Sequence, residues 1–147
     1  MPRRPARLAA GALALLVLDG PRASAADEPK VIVNAANAGG QIQRAALVAI
    51  FMGQMTRWSD GKSITPVDQS TRSPVRAAFS EKVLKKSIMS IQANWLRKIS
   101  AEHTTPPPVK ASDADVAAFV RANPGGIGYV ADGFAVDQTL KVLKVVD

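Results

Sequence analysis

Cysteine is missing from all 147 residues. Its absence excludes disulfides, thiolate nucleophiles and lipid attachment through a lipoprotein cysteine, and it leaves stability to packing. Histidine occurs once, as His103, beside a proline run and with no Asp or Glu at a metal-ligand spacing. A zinc site, or any other metal or cofactor, therefore has no support. Aromatic residues make up 5% of the chain and are not interleaved with a basic run, so the usual footprint of nucleic-acid binding is lacking. There is no P-loop, no G-x-G-x-x-G and no nucleophile elbow. With no base–nucleophile pair to argue from, the chain reads as a non-enzyme. Long apolar runs are limited to Leu8–Leu18, which at 11 residues is short of the roughly 20 needed to span a bilayer.

That run sits inside a recognisable pattern. Arg3, Arg4 and Arg7 precede it, Gly20-Pro21 break it, and Ala23-Ser24-Ala25 offer small residues for cleavage. Residues 1–25 are thus expected to be a secretory signal peptide cleaved near Ala25. The product would be periplasmic, with no stable membrane insertion after cleavage. The residues around Arg3-Arg4 do not build a fuller twin-arginine pattern, which favours ordinary secretion. The segment also distorts the charge. The whole chain has 19 Lys+Arg against 12 Asp+Glu, but residues 1–25 hold four Arg and one Asp, leaving 15 against 11, or +4. Such a mild surplus suits a small anion or plain solubility and is too weak for a polyanion. Residues 26–147 have the length of one domain with a modest core.

Within that domain strands alternate with helices. Val31–Ala36 is β-branched and ends at Asn37-Ala38-Gly39-Gly40, as a buried strand before a turn does. Ile42–Met52 carries apolar residues at helical spacing, with Gly53 placed for a left-handed cap. Trp58–Lys62 reads as a turn and Ile64–Val67 as a short strand. Ser73-Pro74 opens a second helix, Ser as N-cap and Pro in the first turn. A third runs from about Ser87, with Ile88, Ile91, Trp95, Leu96 and Ile99 at a 3.6 period. His103–Pro108 is an extended linker. Ser112 caps a fourth helix, Asp115 completing a capping-box-like pair, and Val116, Phe119 and Val120 face inward. Asn123–Gly126 stops it, and Ile127–Ala131 and Val142–Val146 are strands. The expected class is α/β, with a small mixed sheet of about four to five strands flanked by helices.

Few segments could carry chemistry. Asp113 and Asp115 are most simply helix N-terminal charges. Gly125-Gly126-Ile127-Gly128 is most simply a tight turn with close packing. The best candidate is Gln69-Ser70-Thr71-Arg72-Ser73-Pro74-Val75-Arg76, which follows a strand and opens a helix. A strand-to-helix junction presents free backbone N–H groups and the positive end of a helix dipole. With three hydroxyls and two guanidinium groups nearby, the loop could hold an oxyanion. The residues by themselves favour the simpler alternative, a well-capped helix start with solvated arginines.

Several ordered segments resemble a known family. Val31–Asn37, then Ile50-Phe51-Met52-Gly53, then Trp58-Ser59-Asp60-Gly61, followed by Phe79, Trp95, Pro106-Pro107 and Pro124–Val130, are similar to the phosphate-binding proteins of ABC transporters. The resemblance implies one lobe of a type II periplasmic-binding-protein fold, standing without the second lobe that normally closes over ligand. It implies phosphate or another small oxyanion as ligand; if one is held, the residues of the loop expected to hold it are Ser70, Thr71, Arg72, Ser73 and Arg76. The family carries R-S-x-G-S-G-T at this loop. Here Gln69 stands at the ligand arginine, Pro74 replaces a glycine and removes an N–H donor, and Val75 replaces a threonine. Charge-assisted hydrogen bonds contribute about 1.5–3 kcal/mol and neutral ones roughly half that, while micromolar affinity is only about 8 kcal/mol. Weak binding is therefore expected. The competing expectation is a non-catalytic interaction module that has lost phosphate, using its open cleft face for an envelope protein partner or for self-association.

Overall fold

A computed structural model describes residues 27–147; the expected signal peptide lies outside the described residues. Its main sheet has five strands in the order β2-β7-β1-β6-β3. The central strand β1 (Lys30–Asn34) runs antiparallel to both β6 (Gly126–Val130) and β7 (Leu140–Val146). The edges are short. β2 (Gln41–Gln43) lies parallel to β7, and β3 (Thr65–Pro66) lies parallel to β6. A separate parallel pair joins β4 (Asp68–Gln69) to β5 (Val109–Lys110).

Side-chain alternation along β1 and β6 divides the core in two. Val31, Val33, Ile127 and Tyr129 face one way and pack with Leu47, Phe51, Phe79 and Ile91. Ile32 and Val130 face the other way and meet Val116, Ala117 and Val120. Period-two patterning with both faces apolar is what a sheet sandwiched between helices requires. The first face is covered by α1 (Arg44–Phe51), by the π-helical segment Phe79–Leu84 that continues α2 (Pro74–Ala78), and by α3 (Ile88–Glu102). The second is covered by α4 (Asp113–Ala122).

Helix starts follow the expected chemistry. The hydroxyls of Ser73, Ser87 and Ser112 each accept the backbone N–H three residues on, from Arg76, Ser90 and Asp115. Gly53 follows α1 at φ +73°, the left-handed cap that a side chain adopts only with strain. Two local expectations change. Ile42 does not begin the first helix. The alternation Gln41-Ile42-Gln43 places it inward on β2, opposite Val145, and α1 starts at Arg44. The apolar stripe of α3 is only partly covered, with Ile91 3% exposed but Leu96 67% and Ile99 41%. No helix among the described residues is long and apolar enough to cross a membrane.

Candidate functional site

The strand-to-helix loop sits where β4 ends and α2 begins. It is held from below by a buried polar network. Asp68 Oδ1 takes the Gln69 N–H at 2.8 Å, the Tyr129 hydroxyl, and an ion pair from Arg76 Nε at 3.0 Å. Arg76 is 3% exposed, and its Nη1 donates to the Ser80 hydroxyl one turn on, itself buried. Such a pair is tolerable inside because each charge meets its partner and further hydrogen bonds. The Tyr129 ring stacks on Phe79 at 3.7 Å between centroids, which fixes the hydroxyl over Asp68. Burial raises the phenol well above its ordinary range, and the neighbouring Asp68 charge raises it further. The group therefore stays a neutral donor.

Gln69, at the position where an arginine was expected to meet ligand, is 3% exposed and turned to the scaffold. Its amide donates to Asp113 Oδ1 and to the Tyr129 carbonyl, each at 2.9 Å, and accepts from Ser73 Oγ at 2.9 Å. It ties β4 to α4, β6 and the loop. Asp113, besides standing in the first turn of α4, also receives the Ala131 N–H.

The five residues selected from the sequence separate into two groups. Ser70, Thr71 and Arg76 line one groove. Ser73 is engaged internally as the α2 cap and as the donor to Gln69. Arg72 is exposed, its backbone N–H on the Ser70 hydroxyl at 3.3 Å, and it does not line the groove. Asp68 and Tyr129 were not singled out as site residues. The one available signal was an acidic residue closing a strand just before the hydroxyl-rich loop.

The groove encloses about 510 Å³. Its lining takes Asp68, Gln69, Ser70, Thr71 and Arg76 from β4, the loop and the helix it opens, Ile91, Gln92, Trp95, Leu96 and Ile99 from α3, and Pro107 and Val109 from the segment that follows. Two nitrogens of Arg76 are occupied by Asp68 and Ser80, and Nη2 makes no hydrogen bond among the described residues. The only buried side-chain polar atom without a partner among those residues is Thr104 Oγ1. Arg76 itself is among the groove-lining residues. Among the described residues, no group of three His, Cys, Asp or Glu is arranged to hold a metal ion.

Residues 22–146 match the family model of the PBP superfamily domain. No curated protein matches the chain. Among solved structures, it is similar to a candidate phosphate ABC transporter substrate-binding protein of Clostridium perfringens with phosphate bound, at 20% identity and a TM-score of 0.65, covering 81% of this chain and 45% of that one. An ABC-type phosphate transport receptor of Vibrio cholerae gives 22% identity and a TM-score of 0.63, covering 81% and 46%. PstS of Borrelia burgdorferi gives 17% and 0.63, covering 81% and 47%. At these identities the likeness is one of fold, and it agrees with the lobe expected from the sequence. The chain spans a little under half the length of each of these structures.

Proposed function

Because the chain belongs to the PBP superfamily domain family, we propose that it is an exported, periplasmic solute-binding-like protein that takes phosphate or another small oxyanion weakly at the loop 69–76. In this reading residues 1–25 are a cleaved signal peptide and residues 26–147 the single functional domain, with binding rather than catalysis as its task. The observation that carries it is that the buried Arg76 lines one groove together with Ser70 and Thr71. Arg72, exposed at the same loop, adds long-range attraction, and Ser73 fixes the loop through Gln69. Two features support weakness. Asp68 already balances Arg76, and the lining residues Leu96, Ile99 and Val109 are exposed, so a small ligand stays partly in water. Calorimetry with phosphate and with sulfate tests the reading. Heats fitting a dissociation constant near the millimolar range, lost in Arg76→Met, are expected; no heat and no thermal shift at millimolar anion would remove it.

A second reading, self-association or docking on an envelope protein, is favoured by one observation. Leu96, Ile99 and Val109, at 67%, 41% and 60% exposure, form an apolar surface beside the loop. Light scattering after size exclusion distinguishes the two, since a strict monomer with no co-purifying partner counts against this one.

A further inference from the structure

The groove beside Arg76 is large and apolar for a bare tetrahedral anion. Its volume of about 510 Å³ falls within the roughly 300–1,000 Å³ of pockets that bury whole organic ligands. The charged and hydroxyl groups of its lining are Asp68, Arg76, Ser70 and Thr71, all from β4, the loop after it and the helix that loop opens. Gln92 aside, the lining contributed by α3 and the segment after it is hydrocarbon. Ile91 and Trp95 are packed at its base, and Leu96, Ile99 and Val109 stand exposed above them, used by no part of the core. Trp95 is fixed there by its Nε1–H bond to the Phe51 carbonyl at 3.0 Å, so the wall is rigid at that point.

Charge narrows the head group. Arg76 and Asp68 are 3.0 Å apart and neutralise one another. A second negative charge on a ligand is opposed by the Asp68 carboxylate, and in a partly desolvated site that repulsion is not screened away. One negative charge is accommodated, and two are not favoured.

We infer that the groove is a binding site for a small amphipathic anion, with a singly charged oxyanion head on Arg76, Ser70 and Thr71 and an apolar body lying along Trp95, Leu96 and Ile99. The body the groove holds is a short alkyl chain or a single ring. The inference rests on the oxyanion reading of the loop and names the ligand class that the same site selects.

The test is calorimetry on the purified protein with phosphate, sulfate, and the methane-, butane- and hexanesulfonates, which share a singly charged head. Affinity is expected to rise by about fourfold for each methylene buried, with methanesulfonate no weaker than sulfate or phosphate and hexanesulfonate tighter than methanesulfonate by at least tenfold. Replacing two exposed side chains, Leu96→Ser with Ile99→Ser, is expected to abolish the dependence on chain length while leaving phosphate binding unchanged. Phosphate binding without any gain from chain length overturns the inference and leaves the oxyanion reading standing. Silence toward every anion overturns both. Hexanol binding as tightly as hexanesulfonate overturns the acidic head. A gain from chain length that survives the double substitution places the tail elsewhere and overturns the site. Co-sedimentation with phosphatidylglycerol vesicles, without any heat from free hexanesulfonate, overturns a free ligand in favour of a lipid surface.

Discussion

The Tyr129 phenol is raised first by burial and then by the charge of Asp68, to which it donates. In the unfolded chain it titrates near pH 10. A native pKa above the unfolded one means that the folded state keeps the proton longer. Its contribution to stability is therefore complete below about pH 10 and is lost as pH rises beyond it. Tyr129→Phe should lower stability at neutral pH by about 1–3 kcal/mol, because Asp68 and the Gln69 N–H lose a buried partner. It should also flatten the alkaline loss, which urea denaturation at pH 7 and above pH 10 reads directly. Arg76→Met tests the other side of Asp68. Removing one member of a buried ion pair typically costs about 3–5 kcal/mol, so a large drop in melting temperature should accompany the loss of anion heat; Asp68→Asn with Arg76→Met should recover part of the stability and none of the binding. The loop itself was legible from its hydroxyls and arginines. The roles within it were not, because Arg76 and Arg72 look alike until Asp68, Ser80 and Tyr129 are placed around one of them. Tyr129 is 61 residues away from Asp68 in sequence, and no local pattern announces that distance.

At the level of elements, the glycine-rich entry to β6 is a packing device. A methyl group at Gly128 would come within 2.7 Å of Val116 and Val67 γ-carbons, so α4 and the β3–β4 segment close directly on the strand. A methyl at Gly125 would meet the Ser63 carbonyl oxygen at 2.0 Å, a backbone atom held next to β3. Valine side chains can yield by a few tenths of an ångström and a paired backbone cannot. Gly128→Ala is therefore expected to cost about 1–3 kcal/mol, as overpacking does, and Gly125→Ala more than that. Chemical denaturation of the two variants tests the order, and Gly128→Ala costing the more would contradict it. The tight-turn reading of this segment was available from sequence, as were the serine caps, because each depends on residues within four positions. The β2 strand was not. Three residues give no periodicity to read, and Ile42 is inward only because β7 lies alongside it. The same holds for α3, where the 3.6 period is real and the partner that would cover Leu96 and Ile99 is not supplied by the described residues.

Across the whole molecule, one side chain outside the groove lining ties the sheet to the helical layer. Arg44, the first residue of α1, pairs with Asp147 just beyond β7, and its Nη1 donates to the Val83 carbonyl of the π-helical segment. The arginine thus joins the second strand of the sheet to the layer that carries Phe79, which stacks on Tyr129 beneath the loop. Asp147 is held below the ordinary carboxylate range, first by the hydrogen bond from Arg44 and then by its charge. Asp137 is lowered as well, chiefly by the hydrogen bonds from Thr139, with Arg121 contributing. For a depressed carboxylate the native state releases its proton sooner than the unfolded chain. Its stabilisation is present above about pH 4, where the unfolded group is ionised, and is lost as pH falls through the lowered native value. Both groups are exposed, so the effect is small and weakens with salt. Its consequence is nonetheless specific. Asp147→Asn should leave the neutral melting temperature almost unchanged and make the decline between pH 5 and pH 2 shallower, roughly the window in which native carboxylates of this kind titrate. Anion binding at neutral pH should be unaltered, because neither Arg44 nor Asp147 lines the groove. Loss of binding in Asp147→Asn would mean that the π-helical layer transmits strain from Arg44 to the groove, and hydrogen exchange at Phe79–Leu84 would then be faster in the variant than in the parent chain.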